Sequence, residues 1–220
     1  MPQVEFVSLL HKKTTRDYLK RVNEFPKAEA ANIAKRFDFD YWDGSRNVGY
    51  GGYRYDGRWR IVAEKMAQAY NIKPGDTILD VGCGKGFLLY DLTQAVPGVK
   101  ISGVDVSKYA IEHAKEEIKS HLKVGDANSL PFEDKSFDHV ISITTLHCLY
   151  SYDLEKALRE IERVAKKNKY VCVESYRNEV EKANLLYWQL TCEAFCTPKE
   201  WQWWFEKTGY TGDYEFIYFE

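Results

Sequence analysis

The chain has no excess of charge of either sign: 31 Lys and Arg stand against 33 Asp and Glu in 220 residues. Proteins that coat nucleic acid carry a basic excess or stripe, so no nucleic-acid partner is expected. No run approaches the roughly 18 apolar residues that a membrane span needs, so no membrane partner is expected either. The segment Met1 to Phe6 lacks a basic start and places Glu5 where an apolar signal core would begin, and a cytoplasmic protein is the expectation. Cysteines are few and odd in number (Cys83, Cys148, Cys172, Cys192, Cys196), with no CxxC pair. A chain of this size does not depend on disulfides, and a reducing compartment fits. No cluster has metal-ligand spacing, so no metal is expected. The absence of repeats and low-complexity tracts excludes a solenoid or a linker-rich protein.

What is present is globular: 45% apolar and 29% charged residues, enough for one α/β domain with an appendage. Apolar spacing predicts a helix from Ser8 to Val22 and a second from Pro26 to Phe37. Residues 37–60 then hold five of the 14 glycines, four arginines and eight aromatics. That is too rich in glycine for a helix and too irregular for a strand, so a long ordered loop is expected. After Arg60 the rhythm is regular. Helices are predicted at 61–70, 86–95, 108–120 and 154–166. Short apolar strands are predicted at 77–81, 100–104, 121–124, 137–143, 170–174 and 213–219. Strands apolar on both faces, alternating with helices, predict a doubly wound, mostly parallel α/β sheet covered on both sides. Residues 1–60 read as N-terminal helices plus an acceptor or lid loop, and 61–220 as the core of one domain.

Asp80-Val81-Gly82-Cys83-Gly84-Lys85-Gly86 falls at the first strand-to-helix turn. Glycine there lets a ligand approach backbone N–H groups at a helix N-terminus. Phe87 occupies the position where a dinucleotide fingerprint needs its last glycine, and a phosphate-binding Walker loop is also absent. Asp105 follows the second strand, 19 residues after Gly86. That is near the spacing at which a carboxylate reaches ribose hydroxyls. Asp126 follows the third strand. Each feature alone also fits an ordinary turn or helix cap.

Together the stretches ILDVGCGKG (78–86), SGVDVS (102–107), VGDANSLPFEDKSFDHVIS (124–142) and ITTLHCL (143–149) resemble the class I S-adenosylmethionine-dependent methyltransferases, in particular the quinone-biosynthesis group. The resemblance covers about half the chain. It implies a Rossmann-like sheet of the seven-stranded type, with S-adenosylmethionine as cofactor and S-adenosylhomocysteine as product. It places Asp80, Gly82, Cys83, Gly84 and Gly86 along the methionine and ribose portions. Asp105 and Val106 would lie at the ribose, and Asp126 and Ala127 at the adenine. One departure is visible: only one strand candidate follows the last helix, where the family closes its sheet with an antiparallel hairpin. Either the hairpin partner lies elsewhere or this edge is reduced.

For the acceptor side, a hydroxyl substrate needs a base, and His147, after the fourth strand, is the candidate. Its alternative is a packing or capping role beside Cys148. His113 and His121 are expected to face solvent. In the long loop, arginine forks suit a carboxylate or phosphate. Arg46, Tyr50, Arg54 and Tyr55 are assigned to the acceptor, while Tyr53 and Arg58 are assigned to the cofactor. The alternative is an Arg–Tyr cluster that only pins the N-terminal helices. Trp188 is a candidate acceptor wall, and consecutive Trp203 and Trp204 leave at least one ring exposed, pocketed or at an interface. Cys192 and Cys196, four apart on an expected helix, suit core packing better than a soft metalloid. The function expected is methyl transfer to an oxygen of an anionic or sugar-like small molecule by a monomer or homodimer. The alternatives are a quinone or lipid acceptor, protein or RNA, or a non-catalytic cofactor-binding protein.

Overall fold

A computed structural model describes residues 1–12 and 16–220. The N-terminal part holds α1 (Ser8–His11), α2 (Tyr18–Glu24), α3 (Lys27–Ala34) and the short α4 (Phe39–Trp42). Then come α5 (Arg60–Ala69), β1 (Thr77–Val81), α6 (Phe87–Ala95), β2 (Lys100–Asp105), α7 (Lys108–Glu112) and β3 (Leu122–Val124). The chain continues through β4 (Phe137–Ile143), α8 (Ser151–Val164), β5 (Ala165–Glu174), α9 (Glu179–Trp188), α10 (Pro198–Thr208) and β6 (Asp213–Ile217).

The strands form one sheet in the order β3-β2-β1-β4-β5-β6, with every adjacent pair parallel. Alternate residues feed two cores. Ile78, Ile101 and Cys172 pack with Val62, Met66 and Leu92 on one face. Leu79, Val171 and Val173 pack with Leu154, Leu158, Ile161 and Trp201 on the other. This period-two division between two helical layers produces the doubly wound fold that the apolar strands predict. In α8 the buried Leu154, Ala157, Leu158 and Ile161 keep helical spacing. A reciprocal Thr197–Glu200 capping box with Pro198 starts α10, and Gly209 in a left-handed conformation ends it.

Four expectations are corrected. Among the described residues the sheet has six strands rather than seven. Beyond β6, a parallel bridge from Gln3 to Tyr214 takes the place of an antiparallel hairpin. Buried Glu215 accepts amides of Phe6 (2.7 Å) and Val7 (2.9 Å), so the chain's first residues close this edge. The helix expected over Ser8–Val22 is interrupted: Asp17 is extended and accepts the Lys20 amide at 2.9 Å to start α2. The Lys13–Thr15 part of that expectation lies outside the described residues. The helix expected to reach Ser120 stops at Glu112. His113 stacks on Tyr109 (3.8 Å between centroids), and Lys115 turns back to Lys85 O and the Tyr90 ring. Cys192 and Cys196 do not share a helix face, because α9 ends at Trp188 and Gln189 is extended. Lys27 Nζ holds the Gln189 carbonyl at this break (2.5 Å).

Candidate active site

Because β2 and β3 lie to one side of β1 and β4 to the other, the strand order reverses at the β1/β4 boundary. Open α/β sheets bind ligands at the carboxyl ends around such a reversal. Asp80, Asp105, Ile143 and Glu174 all fall at that edge.

Gly82 and Gly84 are in left-handed conformations with φ of 82° and 54°. A Cβ on Gly82 would lie 2.0 Å from Thr145 Oγ1, and one on Gly84 would lie 2.8 Å from the Trp42 ring. Glycine therefore lets two neighbouring side chains close on the turn. The third glycine, Gly86, is a packing glycine against Ile118 and Leu122. Asp105 is 8% exposed and accepts the amides of Gly84 (2.7 Å) and Ser107 (2.8 Å). Asp80 is buried with no partner on Oδ1; burial and the nearby Asp105 charge push its carboxyl up to about 7.

A cavity of about 320 Å³ lies above this turn, lined by Gly82, Asp105, Val106, Asp126 and Ala127. A smaller recess of about 70 Å³ adjoins it, lined by Asp80, Cys83, Gly84, Tyr53 and Trp59. An unpartnered buried carboxyl at one end and the Asp105 carboxylate, held by two backbone amides, at the other fit the ammonium and ribose of S-adenosylmethionine. The cofactor residues drawn from the strand ends are thus brought together. Within the loop, Tyr53 reaches the recess and stacks on Phe87 at 5.0 Å. Arg58 lines neither space; it is paired with Asp56 at 2.6 Å and faces the larger neighbouring cavity.

The second cavity, about 400 Å³, opens beside the first and shares Thr144, Tyr41 and Tyr50 with it. Thr144 has φ of 51°, an uncommon strain for a β-branched residue, at the junction of all three spaces. Arg46, Tyr50, Arg54 and Trp188 line this cavity. Tyr55 does not: its hydroxyl donates to Asp91 at 2.6 Å on α6. Arg16 and Arg21, which sequence reasoning missed, also face it, and no local signal marked them. Their guanidinium carbons lie 5.2 Å and 4.7 Å from the Trp188 ring, and that of Arg46 lies 5.3 Å from it. Burial, then the Arg46 charge, pulls Arg21 down to about 10. Two like charges within about 10 Å of each other repel by roughly 1–2 kcal/mol at an effective dielectric of about 20.

His147 sits in this wall at 1% exposure, with Nε2 3.3 Å from Glu174 Oε2. Its Nδ1 has no partner. Burial lowers His147 to about 3 and raises Glu174 to about 8, the latter opposed by a bond from Gln189 and the Arg16 charge. Both groups are therefore neutral near pH 7, and Glu174 Oε2, like His147 Nδ1, has no hydrogen-bond partner among the described residues. Glu174 was also missed; its only signal is a carboxylate ending the apolar run Val171-Cys172-Val173. His113 and His121 are exposed as expected, and Trp203 is 52% exposed while Trp201 is buried.

The loop is tied to the turn. Lys85, 4% exposed, donates to Asp43 Oδ2 (2.6 Å) and to the Tyr53 carbonyl (2.9 Å). Tyr109 donates to the same Asp43 oxygen at 2.8 Å. Trp42 donates to Ser107 Oγ at 2.9 Å and stacks on Tyr50.

The model of a methyltransferase-domain family matches residues 72–209. The chain is 33% identical over 128 residues to a demethylmenaquinone methyltransferase of Symbiobacterium thermophilum, covering 54% of this chain and 50% of that one. It is 37% identical over 114 residues to an uncharacterized protein of Methanocaldococcus jannaschii, covering 51% and 41%. The chain thus spans half the length or less of these curated relatives. In structure it is similar to a chain from a complex between the Haloferax volcanii Trm112 methyltransferase activator and a methyltransferase. That match has 25% identity and a TM-score of 0.53, covering 69% of this chain and 76% of that one. The YcgJ protein of Bacillus subtilis shares the fold at 24% identity and a TM-score of 0.55, covering 66% of each. With the family match spanning more than half its length and the glycine turn, Asp80 and Asp105 in place, the chain belongs to the class I S-adenosylmethionine-dependent methyltransferases.

Proposed function

We propose that the protein transfers a methyl group from S-adenosylmethionine to an oxygen of a small anionic metabolite, phosphorylated or nucleotide-linked. The observation that carries the acceptor class is the 400 Å³ cavity beside the glycine turn. Five arginines face it and, among the described residues, Glu174 is its one carboxyl group. When bound, S-adenosylmethionine supplies a methyl group already activated on a sulfonium. The chain's own work is then to align the acceptor and remove its proton. Asp80, Gly82, Cys83, Gly84, Asp105, Val106, Asp126 and Ala127 would hold the cofactor, with Tyr53 over the recess and Gly86 shaping the turn. Arg46, Tyr50, Arg54 and Trp188 would hold the acceptor. His147 would take the acceptor's hydroxyl proton, and ionised Glu174, with Oε2 3.3 Å from Nε2, would stabilise the imidazolium that forms.

In this reading residues 1–60 supply the acceptor wall and 61–220 the transfer core. No helix among the described residues is long and apolar enough to cross a membrane. We place the protein in the cytoplasm as a monomer or homodimer. A quinone or lipid acceptor is the second reading, favoured by the demethylmenaquinone relatives and by Trp188 and Phe219 in the wall. The guanidinium lining argues against it, because a neutral quinone offers Arg21 and Arg46 no negative charge to pair with. Incubation with methyl-labelled S-adenosylmethionine and a cytosolic extract split by size tests both. Label in an anionic metabolite is expected; label in a quinone fraction, or only in protein or RNA, overturns the proposal.

A further inference from the structure

Part of the acceptor cavity is built around one ring, Trp188. Arg16, Arg21 and Arg46 approach Trp188 from three different segments of the N-terminal part. Among the described residues, neither Arg21 nor Arg46 has a carboxylate partner. Arg21 Nε is buried without a hydrogen-bond acceptor, and Arg46 donates only to the carbonyls of Gly49 and Tyr50. A further cation stands behind them. The Lys27 ammonium is held by the Gln189 and Tyr187 carbonyls, and burial together with the Arg21 charge pulls it down to about 8. The positive charge is therefore concentrated and held in place by packing.

We propose that Arg21 and Arg46, with Arg16 beside them against Trp188, form a phosphate-binding subsite, so that the acceptor is a phosphate ester or a diphosphate. This deepens the reading of an anionic acceptor and rests on it. A carboxylate brings one negative charge, whereas this part presents at least two guanidinium groups that repel each other. A phosphate dianion or a diphosphate compensates both and accepts from both forks. None of Arg16, Arg21 and Arg46 lines either space assigned to the cofactor.

Calorimetric titration of the full chain with glucose 1-phosphate, with uridine diphosphate and with glucose tests the subsite. Both phosphate compounds are expected to bind and glucose is not. Arg21→Gln and Arg46→Gln should each weaken phosphate binding tenfold or more, and Arg21→Lys, which keeps the charge, should weaken it less. The tighter of the two probes identifies a monoester or a diphosphate as the natural group. Absence of phosphate binding, or binding unchanged in both glutamine variants, overturns the proposal. S-adenosylhomocysteine is titrated in parallel. Its failure to bind the unaltered chain defeats the methyltransferase reading, whereas normal binding without phosphate binding defeats the subsite alone.

Discussion

Asp105 carries two loads with one carboxylate. It fixes the glycine turn through the Gly84 amide and the start of α7 through the Ser107 amide. It also lines the space assigned to the ribose. Asp105→Ala should therefore weaken S-adenosylhomocysteine binding at least tenfold by calorimetry, and unchanged affinity would exclude the ribose role. The His147–Glu174 pair has a sharper signature. Glu174 is raised from 4.5 to about 8, so the folded state binds more protons than the unfolded state between those values. Stability from this group is full below pH 4.5 and is lost as pH rises through about 8, at roughly 1.4 kcal/mol per pH unit. Glu174→Gln should flatten that loss in thermal melts between pH 4.5 and 8. It should also abolish a rise in methyl transfer near pH 8. His147 has the opposite sign: lowered to about 3, it costs stability as pH falls below 6.5.

Among the elements, the long loop is the one whose position decides the site. Lys85 is buried and its ammonium is matched by Asp43. Removing one partner of such a pair typically costs about 3–5 kcal/mol, because the other charge stays buried. Asp43→Asn should lower stability by an amount in that range and speed proteolysis within residues 44–58, measured by limited digestion. The strands and the glycine turn were legible in the sequence because their rules are local. Apolar runs mark β1 to β4 and the Tyr170–Glu174 half of β5, and Asp80 in β1, Asp105 ending β2 and Asp126 after β3 mark the edge proposed to hold the cofactor. What was not legible depends on distant partners. Arg16 and Arg21 face the cavity only because Trp188 is brought beneath them, and Tyr55 leaves it only because Asp91 claims its hydroxyl. The Lys108–Ser120 pattern is helical by composition, yet contacts of Lys115 with the Lys85 carbonyl and Tyr90 override it.

At the scale of the molecule, the edge of the sheet and the acceptor cavity are completed together. Glu215 on β6 gathers the amides of Phe6, Val7 and Ser8 and the Tyr170 hydroxyl. The chain then runs through α1 toward Arg16. Hydrogen bonds to a charged group are worth about 1.5–3 kcal/mol each. Glu215→Gln should release this strap, seen as faster hydrogen exchange at Phe6 to Ser8 and a lower Tm, with β1 to β4 still protected. Exchange unchanged at those amides would show that Phe6 and Val7 are held by packing alone.

The tie between Lys85 and Asp43 has a thermodynamic corollary. One residue of the cofactor turn and one residue of the acceptor loop are joined by a single buried charge pair, so whatever orders one segment changes the free energy of ordering the other. Linkage is reciprocal: if cofactor raises the affinity for acceptor by some factor, acceptor raises the affinity for cofactor by the same factor. The two substrates should accordingly bind with coupled affinities, and the coupling should weaken when the ion pair is removed.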